Sequence, residues 1–368
     1  MTILIFFLVL FVLVLVHEWG HFIAAKKTGM RVDEFGIGFP PKLFGVKKGE
    51  TEYSFNLFPI GGFVKIYGSD EPVAGDSGVV GEKDQTRAFT ARPRWAQALV
   101  LIAGVAMNII FAWFLFFVVL VAGVPTAVDE AEAGPEAKLV VLEVLPEGPA
   151  AEAGLTRNAV ITSLSAGPDM DQILNPSSFR AFTEDHGDMA MQVTYLLGND
   201  EFTTEITPQT GVVEDDPDRP AVGVALSLIE SKRTPFYIAW WDALKMTGSS
   251  LVAITVGVTA LLTDAVVGEA DFSQVAGPVG IVGLVGEAAE FGFTSLLLFT
   301  AFISLNLAII NLLPVPALDG GRLVFVAIEA VTRKPINPIW VYRLNAIGFI
   351  LLILLMVAVT FSDVSKLL

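Results

Sequence analysis

Cysteine is missing from the 368 residues, and histidine occurs only three times. The first absence excludes disulfides, thiolate metal ligands and thiol catalysis, so any metal must be held by His, Asp or Glu. Charge is sparse, at 17% of residues, and lopsided, with 23 Lys and Arg against 39 Asp and Glu and a net charge of -16. An acidic excess of that size argues against nucleic acid as a partner, because a phosphate backbone is bound by positive charge. Apolar residues fill the space: 53% of the chain is hydrophobic and mean hydropathy is +0.64. Such values describe an integral membrane protein embedded in the lipid bilayer.

The charge is also segregated along the chain. Residues 26–97 carry 11 Lys and Arg against 9 Asp and Glu, whereas residues 123–295 carry 7 against 26. Cytoplasmic loops of membrane proteins are the ones enriched in Lys and Arg. Residues 3–25 form an apolar run long enough to cross a bilayer at about 1.5 Å per residue. A cleaved leader is the rival reading, but no Lys or Arg precedes the run, and Lys26, Lys27 and Arg31 follow it. The helix is therefore expected to enter from outside and to end in the cytoplasm.

Inside that run stands His17-Glu18-Trp19-Gly20-His21. Residues four apart share a helix face, so His17 and His21 can offer two imidazole nitrogens to one metal, with Glu18 beside them as general base. A five-residue pattern can arise by chance, yet polar and ionisable groups within a membrane segment are costly and by default functional. A catalytic zinc usually takes three protein ligands, so a third is expected elsewhere. His186 is a poor candidate because it lies in the polar stretch Glu184-Asp185-His186-Gly187-Asp188.

Residues 33–66 read as strands, with Gly36-Ile37-Gly38-Phe39-Pro40-Pro41 as a turn and aromatic and β-branched residues from Tyr53 to Ile66. Gly68 to Lys83, rich in Gly, Asp, Ser and Glu, is expected to be a mobile cytoplasmic loop. Further spans are expected at about Leu99 to Val124, Leu296 to Leu318 and Leu344 to Phe361. Asn108, inside the second, is expected to hydrogen-bond between helices. Met246 to Leu262 is uncharged, but counting it as a crossing would put Arg322, Arg333, Lys334 and Arg343 outside, so it is expected to be peripheral or re-entrant. Both termini are then outside.

Besides Glu18, Asp319 is the acidic residue set deepest in apolar sequence. Near the cytoplasmic end of its span, it matches the expected depth of His17 and His21. An aspartate capping the Gly320-Gly321 turn is the competing reading.

Five stretches together resemble the site-2 proteases, and among them the bacterial regulator of sigma-E protease group of intramembrane zinc proteases. They are His17-Glu18-x-x-His21, Gly36-x-Gly38-Phe39-Pro40, Pro59-x-Gly61-Gly62-Phe63-Val64-Lys65, Gly277-Pro278-Val279-Gly280-Ile281 and Asn311-x-x-Pro314-x-Pro316-x-x-Asp319-Gly320. The resemblance spans nearly the whole chain. It implies Zn2+ held by His17, His21 and Asp319, Glu18 as the base, and substrate contacts from Asn311, Pro314, Gly61, Gly62, Val64 and Ile66. Pro149-Ala150-Ala151-Glu152-Ala153-Gly154-Leu155 resembles part of a PDZ domain, although Asn158-Ala159 replaces the usual Gly-Asp.

The expected architecture is a polytopic α-helical membrane protein with four transmembrane helices, a membrane-reentrant β-hairpin or sheet, and one extracytoplasmic PDZ-like α+β domain. Its parts are an N-terminal membrane part (1–125), the PDZ-like domain (126–228), a peripheral amphipathic region (229–290) and a C-terminal membrane part (291–368). The resemblance implies a protease of the bacterial cytoplasmic (inner) membrane, with its active site toward the cytoplasm. Its partner would be a single-span membrane protein, such as an anti-sigma factor or a signal peptide remnant, cut in or near the transmembrane segment. A zinc-dependent scaffold or a metal transporter is the alternative. A transporter should line a path to both faces with polar residues, whereas here they gather at one depth.

Overall fold

The computed structural model describes residues 1–69, 85–171, 175–198, 200–213, 216–268 and 276–367. Most of the loop expected from Gly68 to Lys83 lies outside them. In chain order the first elements are α1 (Thr2–Lys27), β1 (Val32–Lys48), β2 (Thr51–Ile66) and α2 (Arg94–Ala122). There follow β3 (Val124–Val128), β4 (Lys138–Val144), β5 (Val160–Ala166), β6 (Asp169–Asp171), α3 (Pro176–Asp185), β7 (Met191–Leu197), β8 (Asp200–Ile206) and β9 (Val224–Lys232). The chain closes with α4 (Phe236–Val267), α5 (Pro278–Glu290), α6 (Phe293–Leu312), α7 (Asp319–Thr332) and α8 (Pro338–Leu367). It divides into two compact units, one of Met1–Phe117, Trp240–Glu287 and Leu297–Leu368, the other of Val118–Ala239 with Ala288–Leu296.

In the first unit, α1 is an almost unbroken apolar helix whose last turn carries Lys26 and Lys27, favourable charges at a helix C-terminus. It stops where Gly29 adopts a positive φ of 75° and the Met30 N–H returns to the Ala25 carbonyl at 2.9 Å. The strands that follow differ from the expected arrangement. Gly36–Pro41 is not the hairpin turn; β1 runs through it, bending at Gly38 (φ 82°), and the chain reverses at Gly49 and Glu50. Residues 34–37 pair with 52–55 on one side and with 62–65 on the other, while 42–48 pair with 51–56. Four extended segments result, and 62–65 lies at an edge with no second partner among the described residues.

Among the described residues, five helices are long and apolar enough to cross a membrane: α1, α2, α4, α6 and α8. The fifth candidate, beyond the four expected spans, is α4, which runs continuously through 246–262. Contacts fix how these helices run. His21 meets the Val100 carbonyl and His17 meets Asn108, so α1 and α2 are antiparallel. Ser304 bonds the Asn108 carbonyl and Phe302 packs on Phe116, so α6 opposes α2 and runs with α1. Trp240, early in α4, packs on Trp113 and Phe117 near the far end of α2. Beyond α4, Gly277 and Gly280 sit on Asp363 at the end of α8, and an added Cβ at Gly286 would strike Thr2. Both ends of the α4–α5 stretch therefore lie at the end of the unit where α1 begins.

The second unit holds a sheet in the order β3-β9-β4-β5-β7-β8, with β6 on β5. Apolar residues of β5 and β7, among them Ile161, Leu164, Met191, Val193 and Tyr195, form a buried core with Phe179 and Phe182 of α3, and a register shift in β5 lies between Ile161 and Ser163. Asn175 caps α3 by accepting the Ser178 N–H at 2.7 Å, with Pro176 at the first helical position. His186 ends that helix stacked on Phe182, its two ring nitrogens bonded to the Phe182 carbonyl and the Asp169 carboxylate.

Candidate metal centre

Helical spacing puts His17 and His21 on one side of α1, and both are buried where α1 meets α2. That contact is close because glycine faces it from each helix. An added Cβ at Gly20 would lie 2.3 Å from the Ala103 oxygen, and one at Gly104 would lie 2.4 Å from His21 Nε2 and 2.8 Å from His17 Cε1. Asp319 arrives from 302 residues away in sequence, as the first residue of α7. The chain entering α7 is wrapped tightly. Ala317 takes a φ of 77°, its N–H donates to Asn345 Oδ1 at 3.1 Å, and Gly320, Gly321 and Gly348 each press against a carbonyl of residues 312–316. Arg94 pairs with Glu329 at 2.9 Å and Arg322 donates to the Ser69 carbonyl at 2.9 Å, tying α7 to α2 and to the end of β2.

These elements bring three ligand atoms together. His17 Nε2 lies 3.0 Å and His21 Nε2 3.2 Å from Asp319 Oδ2, and the two nitrogens are 3.1 Å apart. Two Nε2 atoms that close cannot both carry protons, so hydrogen bonding alone does not explain the triangle. A cation does. Bonds of about 2.0–2.1 Å to a tetrahedral zinc imply ligand atoms about 3.3 Å apart, close to the spacing found. His21 Nδ1 donates to the Val100 carbonyl at 2.8 Å, which leaves its Nε2 lone pair free to ligate. The donor set of two imidazoles and one carboxylate suits zinc.

Glu18 stands outside this cluster, near enough to interact electrostatically with His21, His17 and Asp319, and it accepts a hydrogen bond from the Val64 backbone N–H. Val64 belongs to the free edge, and an added Cβ at Gly62 would lie 3.7 Å from Glu18 Cγ. Of the remaining expected contacts, Gly61 turns β2 with a φ of 102° against Phe39 and Val14. Ile66 is not an edge side chain; it is buried in the core with Phe22, Met30 and Val32. Asn311, half-buried, closes α6, and exposed Pro314 lies in the loop before Asp319. Gly104, which no spacing rule singles out, has no room for a Cβ beside His17 and His21, and Asn108 faces His17 directly.

A chain of apolar helices enclosing such a triangle has the features of a membrane protein with a candidate three-residue metal centre. Comparison with known proteins narrows this. The pattern of peptidase family M50 matches residues 5–355. The zinc metalloprotease RasP of Oceanobacillus iheyensis is 30% identical over 100% of this chain and 99% of its own. The regulator of sigma-W protease RasP of Bacillus subtilis is 28% identical over 100% and 99%. A candidate zinc metalloprotease of Clostridium perfringens is 34% identical over 96% and 95%. Among solved structures, the PDZ domain of an SdrC-like protein from Listeria monocytogenes aligns with 26% of this chain and 92% of its own, at 16% identity and a TM-score of 0.21. The chain belongs to peptidase family M50. It is a zinc metalloendopeptidase of the membrane.

Proposed function

We propose that this protease cuts a peptide bond within or beside the transmembrane segment of a single-span membrane protein, with His17, His21 and Asp319 holding zinc and Glu18 acting as base. The observation that carries the reading is the buried ligand triangle with Glu18 placed between it and a free strand edge. Bound there, zinc would lower the pKa of water and polarise a substrate carbonyl. Glu18 would take the proton from the attacking water and pass it to the leaving amine. The Asp319 carboxylate, at the N-terminus of α7, is favoured by the helix dipole.

A helical substrate offers no free amides, so it must unwind before cleavage. Residues 62–65 have no second strand beside them among the described residues, and we assign this edge the capture of the unwound segment as an added strand. The distal arm of the same sheet exposes Phe39, Leu43, Phe44, Phe55, Leu57 and Phe58, as a hairpin dipping into lipid would. Asn311 and Pro314, in the approach to Asp319, are assigned the opposite side of the substrate.

For topology, the parallel course of α1 and α6 supports four crossings. The α4–α5 stretch leaves and rejoins the end where α1 begins, and α5, at 13 residues or about 20 Å, is too short to return across a core of about 30 Å. We therefore place α4 along the outer face, the acidic domain at 126–228 outside, and the metal site toward the cytoplasm of a bacterial inner membrane. The resemblance to the site-2 proteases makes an anti-sigma factor one substrate class and a signal peptide remnant another, and the similarity to a regulator of sigma-W protease is in keeping with the first. Reconstitution with a single-span substrate tests the reading: the wild type should cut it in or near the membrane, and Glu18→Gln should not. Equal cleavage by both would refute it.

A further inference from the structure

Asn108 is fully buried on α2, and its side-chain amide lies 3.3 Å from His17 Nδ1. With Nδ2 turned toward the ring, Oδ1 has no hydrogen-bond partner among the described residues, a costly state for a buried amide oxygen. That orientation would also give His17 Nδ1 the lone pair and Nε2 the proton. Nε2, however, is the atom aimed at Asp319 and His21. A histidine that ligates through Nε2 carries its proton on Nδ1 and needs an acceptor there. The two ends of an asparagine amide are told apart only by their partners. Turned over, Oδ1 accepts the Nδ1 proton, which gives the buried oxygen a partner and leaves Nε2 its lone pair for the metal.

The same arrangement already stands at His21, where the Val100 carbonyl accepts from Nδ1. Asn108 is itself anchored, since its backbone carbonyl accepts from Ser304 Oγ at 2.9 Å, joining α2 to α6. An asparagine serving only to join helices would spend its side chain on a neighbouring backbone; this one faces an imidazole. We propose that Asn108 is a positioning residue whose Oδ1 accepts the His17 Nδ1 proton and so fixes the tautomer and ring angle that present Nε2 to zinc. The proposal rests on the assignment of His17 as a ligand.

The test uses the purified full-length protein with Asn108→Leu, similar in size but lacking an acceptor, and Asn108→Asp, which keeps one. Zinc affinity is read by competition with a chelator. Histidine labelled with nitrogen-15 reports the tautomer, in a spectrum of only three residues. Asn108→Leu should weaken zinc binding by about 10- to 100-fold, Asn108→Asp should restore most of it, and zinc-loaded wild type should show the His17 proton on Nδ1. Unchanged affinity in Asn108→Leu, equal losses in both variants, or a proton on Nε2 would each overturn the proposal. His17→Ala run in parallel separates the two levels. If it loses zinc while Asn108→Leu does not, only the positioning role falls; if it keeps full affinity, the ligand assignment falls and takes the proposal with it.

Discussion

At the scale of single residues, the proposed roles put the metal on His17, His21 and Asp319 and the proton on Glu18, and substitutions should separate the two. Glu18→Gln keeps all three ligand atoms, so bound zinc should remain while cleavage falls by about 10²- to 10⁴-fold or more. Asp319→Asn should lose much of the metal, because the neutral amide is a poor substitute for a carboxylate. Gly104→Ala should cost zinc as well, since its Cβ would need the space of both imidazoles; metal analysis of the purified variant checks this. His17, Glu18 and His21 are legible in the sequence because their spacing is local and their apolar setting makes polar groups conspicuous. Asp319 could be read from its depth in an apolar stretch. Gly104 could not, because its constraint comes from the approach of a second helix rather than from its own neighbours. Asn108 was legible as a polar residue between helices, but only the packing shows that it faces His17.

The strands show a different limit at the scale of elements. Gly and Pro between residues 36 and 41 signal a reversal, yet local chemistry cannot tell a bend within a strand from the turn that ends one. The true turn is set by Glu50, whose carboxylate takes two hydrogen bonds from Arg87, at 2.6 and 2.8 Å, and one from Lys26 at 2.6 Å. These bonds, Arg87 first, pull its pKa from 4.5 to about 2. A depressed carboxylate pKa stabilises the fold above the unfolded value, so the contribution is complete above about pH 4.5 and is lost as pH falls toward 2. Hydrogen exchange across residues 51–66 should therefore quicken in that window, and Glu50→Gln should quicken it at neutral pH. At the other end of the sheet, Val64→Pro removes the N–H that reaches Glu18. Cleavage should drop while zinc content stays, and unimpaired cleavage would remove the edge from the account. The length of α4 was also hard to read, because an uncharged apolar run of its size fits a crossing and a surface helix alike.

For the molecule as a whole, the orientation of α6 decides whether a site can form at all. Charge counting in the loops and the contacts among α1, α2 and α6 point to the same direction by independent routes. Because the chain has no cysteine, single substitutions report topology without interference. Lys334→Cys should be shielded from an impermeant external reagent and Glu201→Cys labelled; external labelling of Lys334→Cys would place α6 the wrong way round. The proposed metal centre holds one zinc among His17, His21 and Asp319, with Glu18 acting beside it. It is tested most directly by measuring bound zinc and cleavage of a single-span substrate together, in wild type, Glu18→Gln and the double variant His17→Ala, Asp319→Ala. One zinc with cleavage is expected in the wild type, one zinc without cleavage in Glu18→Gln, and neither in the double variant. A double variant that retained full zinc would contradict it.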